Sequence, residues 1–216
     1  MPARRAIARS RLATVLLLTL MLAATLMGCS SDSSSSSSPS ASSAGASSFD
    51  GAALPGEAPA HDFTLADQHG RSVSLSQYRG QITILTFLSS TCRPTCPLIA
   101  QQIRGALDEL GHPVPTLIVS ANPAADTPAS VRRFLREATL TGRIRYLTGS
   151  RAQLQPIWRA YDIVPALLGD ASSPHAAAVL LIDHEGRERD IFPIEQLTPE
   201  ALAHDIRKLE RDPARP

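Results

Sequence analysis

The sequence predicts an α/β domain: a mixed central sheet flanked by helices, with an amino-terminal β-hairpin. Short apolar, β-branched runs at residues 82–88, 116–120 and 177–182 have the character of buried strands. Segments with apolar residues at helical spacing alternate with these runs, which calls for helices on both faces of a sheet. The run at 177–182 is followed at once by Asp183-His184-Glu185-Gly186 and a further strand around Ile191 and Phe192. That turn-linked pair makes the sheet mixed.

Taken in order, Phe63-Thr64-Leu65 and Val73-Ser74-Leu75 alternate about the turn Asp67-Gln68-His69-Gly70 and form the hairpin. Residues 82–88 make the first core strand. Leu98, Ile99, Ile103, Leu107 and Leu110 then fall at helical spacing, Gly111 closes the run, and Pro97 suits the first helical position. After the strand at 116–120, Thr127 caps a helix beginning at Pro128, with Val131, Phe134 and Leu135 inward. Ser150 to Gln153 fits a capping box for a helix to about Tyr161, and Thr198-Pro199-Glu200 opens the closing helix. A pair of thiols sits where the first core strand meets its helix, which is the thioredoxin-like arrangement.

The domain is expected over residues 59–211, about 150 residues, enough for one core. What precedes it is not globular. Arg4, Arg5, Arg9 and Arg11 stand ahead of an apolar run at 12–27, whose length of about sixteen falls short of the about twenty a membrane-spanning helix needs. This reads as a secretory signal, with an uncleaved anchor as the alternative. Leu26-Met27-Gly28-Cys29 resembles the lipobox of bacterial lipoproteins, which implies a signal peptide over 1–28, cleavage before Cys29 and lipid on its thiol. The protein is then expected to be exported and lipid-anchored at Cys29 to the extracytoplasmic side of a bacterial membrane. Residues 29–58, rich in serine and alanine, have too little apolar surface to pack and read as a disordered tether.

Of 21 basic and 20 acidic residues, the signal takes four arginines and no acid, leaving 17 against 20, a formal −3. No basic patch argues for a nucleic-acid partner.

The chemistry centres on Thr91-Cys92-Arg93-Pro94-Thr95-Cys96-Pro97. Cys92 and Cys96 could form a merely structural disulfide, though so short a loop gains little from closure. They could exchange electrons, since a helix amino terminus and nearby Arg93 favour thiolate. Their spacing is one residue longer than the C-x-x-C of ordinary thioredoxin-like reductases. Two thiolates could equally hold a soft ion, Cu(I) first and zinc as competitor. All three methionines lie in the signal, and Cys29 is accounted for, so an imidazole is the natural third ligand. His61, His69, His112, His184 and His204 read as solvated surface residues. His175 enters the strand at 177–182, beside the dithiol in thioredoxin-like folds, and is the candidate.

The residues also resemble the Sco (SenC) copper-chaperone family over roughly 60–210. The match includes Asp62-Phe63-Thr64-Leu65, Cys92 through Cys96-Pro97, Val119-Ser120 to Asp126-Thr127-Pro128, Leu147-Thr148-Gly149, and the histidine ahead of Val179 to Asp183. The resemblance implies copper bound by Cys92, Cys96 and His175, and a role in assembling the copper centre of cytochrome c oxidase. The implied partner is a copper-accepting membrane protein such as an oxidase subunit. Asn122 stands where the family usually has aspartate, and Leu88-Ser89-Ser90 replaces a more usual aromatic-containing run. Pro174 precedes His175 where aspartate is common, which keeps open a second reading: a membrane-tethered thiol–disulfide oxidoreductase acting through Cys92 and Cys96.

Overall fold

A computed structural model describes residues 49–54, 58–164 and 178–211. The expected signal, Cys29, most of the tether and His175 lie outside the described residues.

In chain order the elements are β1 (Ala52–Ala53), β2 (Thr64–Ala66), β3 (Ser72–Ser74), a 3-10 turn (Leu75–Tyr78), β4 (Thr83–Leu88), α1 (Thr95–Leu110) and β5 (Thr116–Ser120). There follow α2 (Pro128–Glu137), β6 (Arg145–Leu147), α3 (Arg151–Ala160), β7 (Ala178–Ile182), β8 (Glu188–Pro193) and α4 (Pro199–Arg211). Six strands form one sheet in the order β1-β8-β7-β4-β5-β6, and β2 and β3 pair separately as the hairpin. The β4–β5 and β5–β6 pairs are parallel, whereas β1–β8, β8–β7 and β7–β4 are antiparallel, so the sheet is mixed as the sequence predicts.

The pleat divides the core in two. Ile84 and Leu88 of β4 face the side covered by Ile99 and Ile103 of α1, Phe134 of α2 and Leu202 and Ile206 of α4. Leu85 and Phe87 face the other side, against Leu154, Ile157 and Trp158 of α3 and Phe63, Leu65 and Val73 of the hairpin. Each such side chain contributes about 1.5–3 kcal/mol on burial, and β4, buried on both faces, is accordingly apolar or β-branched at every position, with Thr83 and Thr86 among them. Helices α1 and α4 meet at Gly105, where an added Cβ would lie 2.7 Å from Pro199 Cγ.

The caps form where the sequence places them. Ser130 N–H donates to Thr127 Oγ1 at 3.2 Å ahead of Pro128, and Ser150 and Gln153 close a reciprocal capping box at 3.3 and 2.9 Å. The start of α1 differs. The helix begins at Thr95, so Pro97 is its third residue and not its first. The N–H groups of the first turn have no helical acceptor, and a proline there forfeits no helical bond.

Two strands go beyond the sequence reading. Three-residue β6 forms the sheet edge, and the hairpin turn covers it: Tyr146 N–H donates to Gln68 Oε1 at 2.9 Å, and Gln68 Nε2 donates to Ile144 O at 3.2 Å. At the other edge β1 pairs with β8, Ala52 opposite Ile191. The described residues therefore include 49–54 of the segment expected as tether, where Ala52 and Ala53 pair with the edge of β8. Among the described residues no helix is long and apolar enough to cross a membrane.

Candidate metal centre

Strand β4 ends in the interior at Leu88, and the chain turns through Ser89-Ser90-Thr91 into Cys92. A turn is closed by Cys92 N–H donating to Ser89 O at 3.2 Å. Cys96 falls in the first turn of α1 with 1% exposure, while Cys92 just outside the helix is half-buried. The two are joined by a disulfide, with their Cα atoms 5.7 Å apart. The intervening Arg93–Pro94 peptide is cis.

The environment of the pair favours negative sulfur. Cys96 N–H, one of the free donors of the first helical turn, points at Cys92 Sγ from 3.2 Å. In the opened form the same donor would stabilise a Cys92 thiolate. Arg93 folds back on the loop, donating to Cys92 O at 2.8 Å, and its other terminal nitrogen reaches Glu137 of α2 at 3.1 Å. That ion pair is solvent-exposed and contributes little energy, but it holds the guanidinium on the loop that carries Cys92.

Beneath the loop lies a group whose role the sequence reading passes over. Asp126, buried between β5 and α2, accepts from Ser90 N–H at 2.7 Å, Ser90 Oγ at 2.7 Å, Ser89 Oγ at 3.1 Å and Ser120 Oγ at 2.6 Å. The Tyr146 hydroxyl adds a contact at 2.9 Å and also lies 3.1 Å from Leu88 O. Burial, then the Asp126 charge, pushes the Tyr146 phenol well up, so it stays protonated and a donor. A carboxylate so surrounded fixes the Ser89-Ser90 turn, and with it the approach to Cys92. The serines that depart from the more usual aromatic-containing run thus supply most of the donors. The signal in the sequence is a lone Asp126 beside two serine-bearing strand ends, which no periodicity marks.

The two predicted cysteines are therefore brought together. Three of the remaining histidines are engaged elsewhere: His112 faces Glu210 at 3.5 Å, His184 lies 2.9 Å from Gly80 O, and His204 meets Asp50 and Asp205. His61 packs edge-on against Tyr161.

The SCO1/SenC family pattern matches residues 52–211. The chain belongs to the SCO1/SenC family. It is 28% identical over 157 residues to the bovine mitochondrial protein SCO2 homolog, a match covering 66% of this chain and 58% of that protein's own length. A putative copper-binding protein of Stutzerimonas stutzeri is 29% identical over 146 residues, covering 63% of this chain and 70% of its own. The solved structure of Bradyrhizobium japonicum ScoI with copper bound is similar with a TM-score of 0.54 and 27% identity, over 70% of this chain and 99% of that one. The mixed sheet flanked by helices is the thioredoxin-like fold of this family.

Proposed function

We propose that the protein is a lipid-anchored copper-binding assembly factor, holding Cu(I) through Cys92, Cys96 and His175. The observation that carries this reading is the Cys92–Cys96 pair at the amino end of α1 in a SCO1/SenC chain. Two electrons and two protons from a thiol reductant open the bridge to two thiols. Cu(I) then displaces the thiol protons, and soft thiolate pairs select that ion. Exchange with a partner disulfide, which takes the two electrons and becomes two thiols, restores the Cys92–Cys96 bridge, removes both sulfur ligands and releases the metal. Cys29, carrying lipid, would anchor the chain to the extracytoplasmic side of a bacterial membrane, and the serine- and alanine-rich segment expected over 29–58 would give the domain reach toward an acceptor. The acceptor implied by the family resemblance is a membrane protein with a copper centre, such as a cytochrome c oxidase subunit.

One feature favours a second reading, thiol–disulfide exchange. Cys92 is the more exposed sulfur and receives the Cys96 N–H, so a Cys92 thiolate could attack a partner disulfide and Cys96 could resolve the mixed disulfide. Copper titration of the reduced full chain in detergent separates the two. The chaperone reading expects about one Cu(I) per chain, lost on Cys92→Ser, Cys96→Ser or His175→Ala. Copper binding that ignores all three substitutions, with disulfide exchange intact in His175→Ala, would leave the oxidoreductase.

A further inference from the structure

Two carboxyl groups meet inside the protein, far from the cysteines in sequence. Asp190 of β8 and Asp205 of α4 are both fully buried. Asp205 accepts from the N–H of Asp50 at 2.8 Å and of Gly51 at 3.0 Å, so it holds the segment that leads into β1. The Asp190 oxygens meet no N–H or hydroxyl donor among the described residues, and the carboxyl lies against that of Asp205. Two ionised carboxylates in so dry a space repel strongly, whereas one proton on Asp190, donated to Asp205, satisfies both groups. Burial, then the hydrogen bond and charge of Asp205, pushes the Asp190 carboxyl up to about 8.

The amino-terminal segment closes this pair off from water. Gly51 crosses Asp190 so closely that a Cβ there would lie 2.6 Å from both oxygens. Ala53 stands opposite Asp190 in the sheet, and Leu54 N–H donates to Arg189 O at 2.8 Å. The hold is slight, since β1 has only two residues at a sheet edge. Lifting the segment would hydrate Asp190 and leave β4, β5 and β7 paired, so local opening is the cheapest relief for a second charge. The other charged groups around the pair come from several elements. Asp50 on the segment adds negative charge, while α4 brings Lys208 over the Phe49 ring and His204, whose Nδ1 lies 2.9 Å from Asp205 Oδ1 and 3.2 Å from Asp50 Oδ2. On β8, Arg189 is drawn to Asp183 at 3.0 Å and Glu188 lies by Tyr161, and β7 places Leu181 opposite Asp190. Helix α1, packed on α4, gives its Asp108 and Glu109 to Arg143 and Arg207.

We propose that Asp190 and Asp205 share one buried proton that latches residues 49–54 onto the domain, and that its loss to solvent frees this segment from the edge of β8 while the rest of the fold stands. A carboxyl raised in the latched state binds its proton more tightly there than when hydrated. The latch is therefore strongest in acid, weakens as pH rises from the ordinary carboxylate range, and has lost the whole contribution by about pH 8. Its consequence is mechanical. The segment is where the preceding chain joins the domain, so release adds residues 49–54 to that connection and lengthens its reach.

The test uses the full chain in detergent with its disulfide intact, so no thiol titrates in the same range and the result is independent of the copper reading. Hydrogen exchange, corrected for the intrinsic effect of pH, is expected to show protection of residues 49–54 falling at least about tenfold between about pH 5 and pH 8, while Trp158 fluorescence stays native. Asp190→Asn, whose amide donates to Asp205 at any pH, should abolish the fall, and His204→Ala should keep it. The infrared spectrum of the native chain near neutral pH should carry a protonated carboxylic acid band that Asp190→Asn lacks. Equal protection at both pH values, a fall that persists in Asp190→Asn or vanishes in His204→Ala, or no such band in the native chain would overturn the proposal.

Discussion

Asp126→Ala is the sharpest probe of how the cysteine loop is held. The substitution removes the acceptor for five donors while leaving those donors buried. Three have somewhere else to go: the Tyr146 hydroxyl has Leu88 O at 3.1 Å, Ser90 Oγ has Ser130 Oγ at 3.0 Å, and Ser89 Oγ has Thr91 Oγ1 at 3.1 Å. Ser90 N–H and the Ser120 hydroxyl lose their acceptor. At about 1–3 kcal/mol for each orphaned buried donor, the expected loss is about 2–6 kcal/mol. For a domain of this size that lowers Tm by roughly 5–20 °C. Trp158 is the single tryptophan, buried and bonded to Ser120 O at 3.0 Å, so its fluorescence reports urea unfolding beside the altered site. Asp126→Asn keeps one acceptor oxygen but turns donors toward donors, and should fall between Ala and the native residue. A loss below about 0.5 kcal/mol for Asp126→Ala, the level of an ordinary surface change, would refute the assignment of this carboxylate as the loop's anchor.

Gly105→Ala should destabilise the protein by about 1–3 kcal/mol although alanine is the better helix former, because its Cβ would meet Pro199 Cγ at 2.7 Å; urea midpoints measure it, and a stabilised variant would contradict the close α1–α4 packing. The acid limb of stability should depend on Asp67. Burial alone would raise its carboxyl, but the N–H groups of Arg71 and His69 and the Arg71 guanidinium outweigh that and hold it below 3.8. A carboxyl held below its unfolded value stabilises above that value, and the contribution disappears as pH falls through the lower, folded value. Asp67→Asn should therefore flatten the loss of Tm as pH falls below the ordinary carboxylate range, and an unaltered acid limb would show that Asp67 carries none of it.

Most of the scaffold was legible because its signals are local. Strands β4, β5 and β7 lack a polar face because both of their faces are covered, and the caps at Thr127 and Ser150 act over three residues. The unread parts depend on partners distant in sequence. Two-residue β1 has no pattern of its own and exists by pairing with β8, and Asp50 meets Asp205 across 155 positions. Asp126 is one acid in a polar turn until Ser90, 36 residues earlier, is folded onto it. The cysteine pair was legible from its place at the end of β4, whereas the half-buried Cys92 and buried Cys96 follow from α1 starting two residues earlier than Pro97 suggested.

Copper ligation by Cys92, Cys96 and His175, as proposed, is open to X-ray absorption of the copper-loaded, reduced chain. The expected copper shell has two sulfurs and one nitrogen, with the nitrogen lost in His175→Ala and the sulfurs lost in Cys92→Ser with Cys96→Ser. Copper bound without sulfur, or a shell identical in all these proteins, would contradict it.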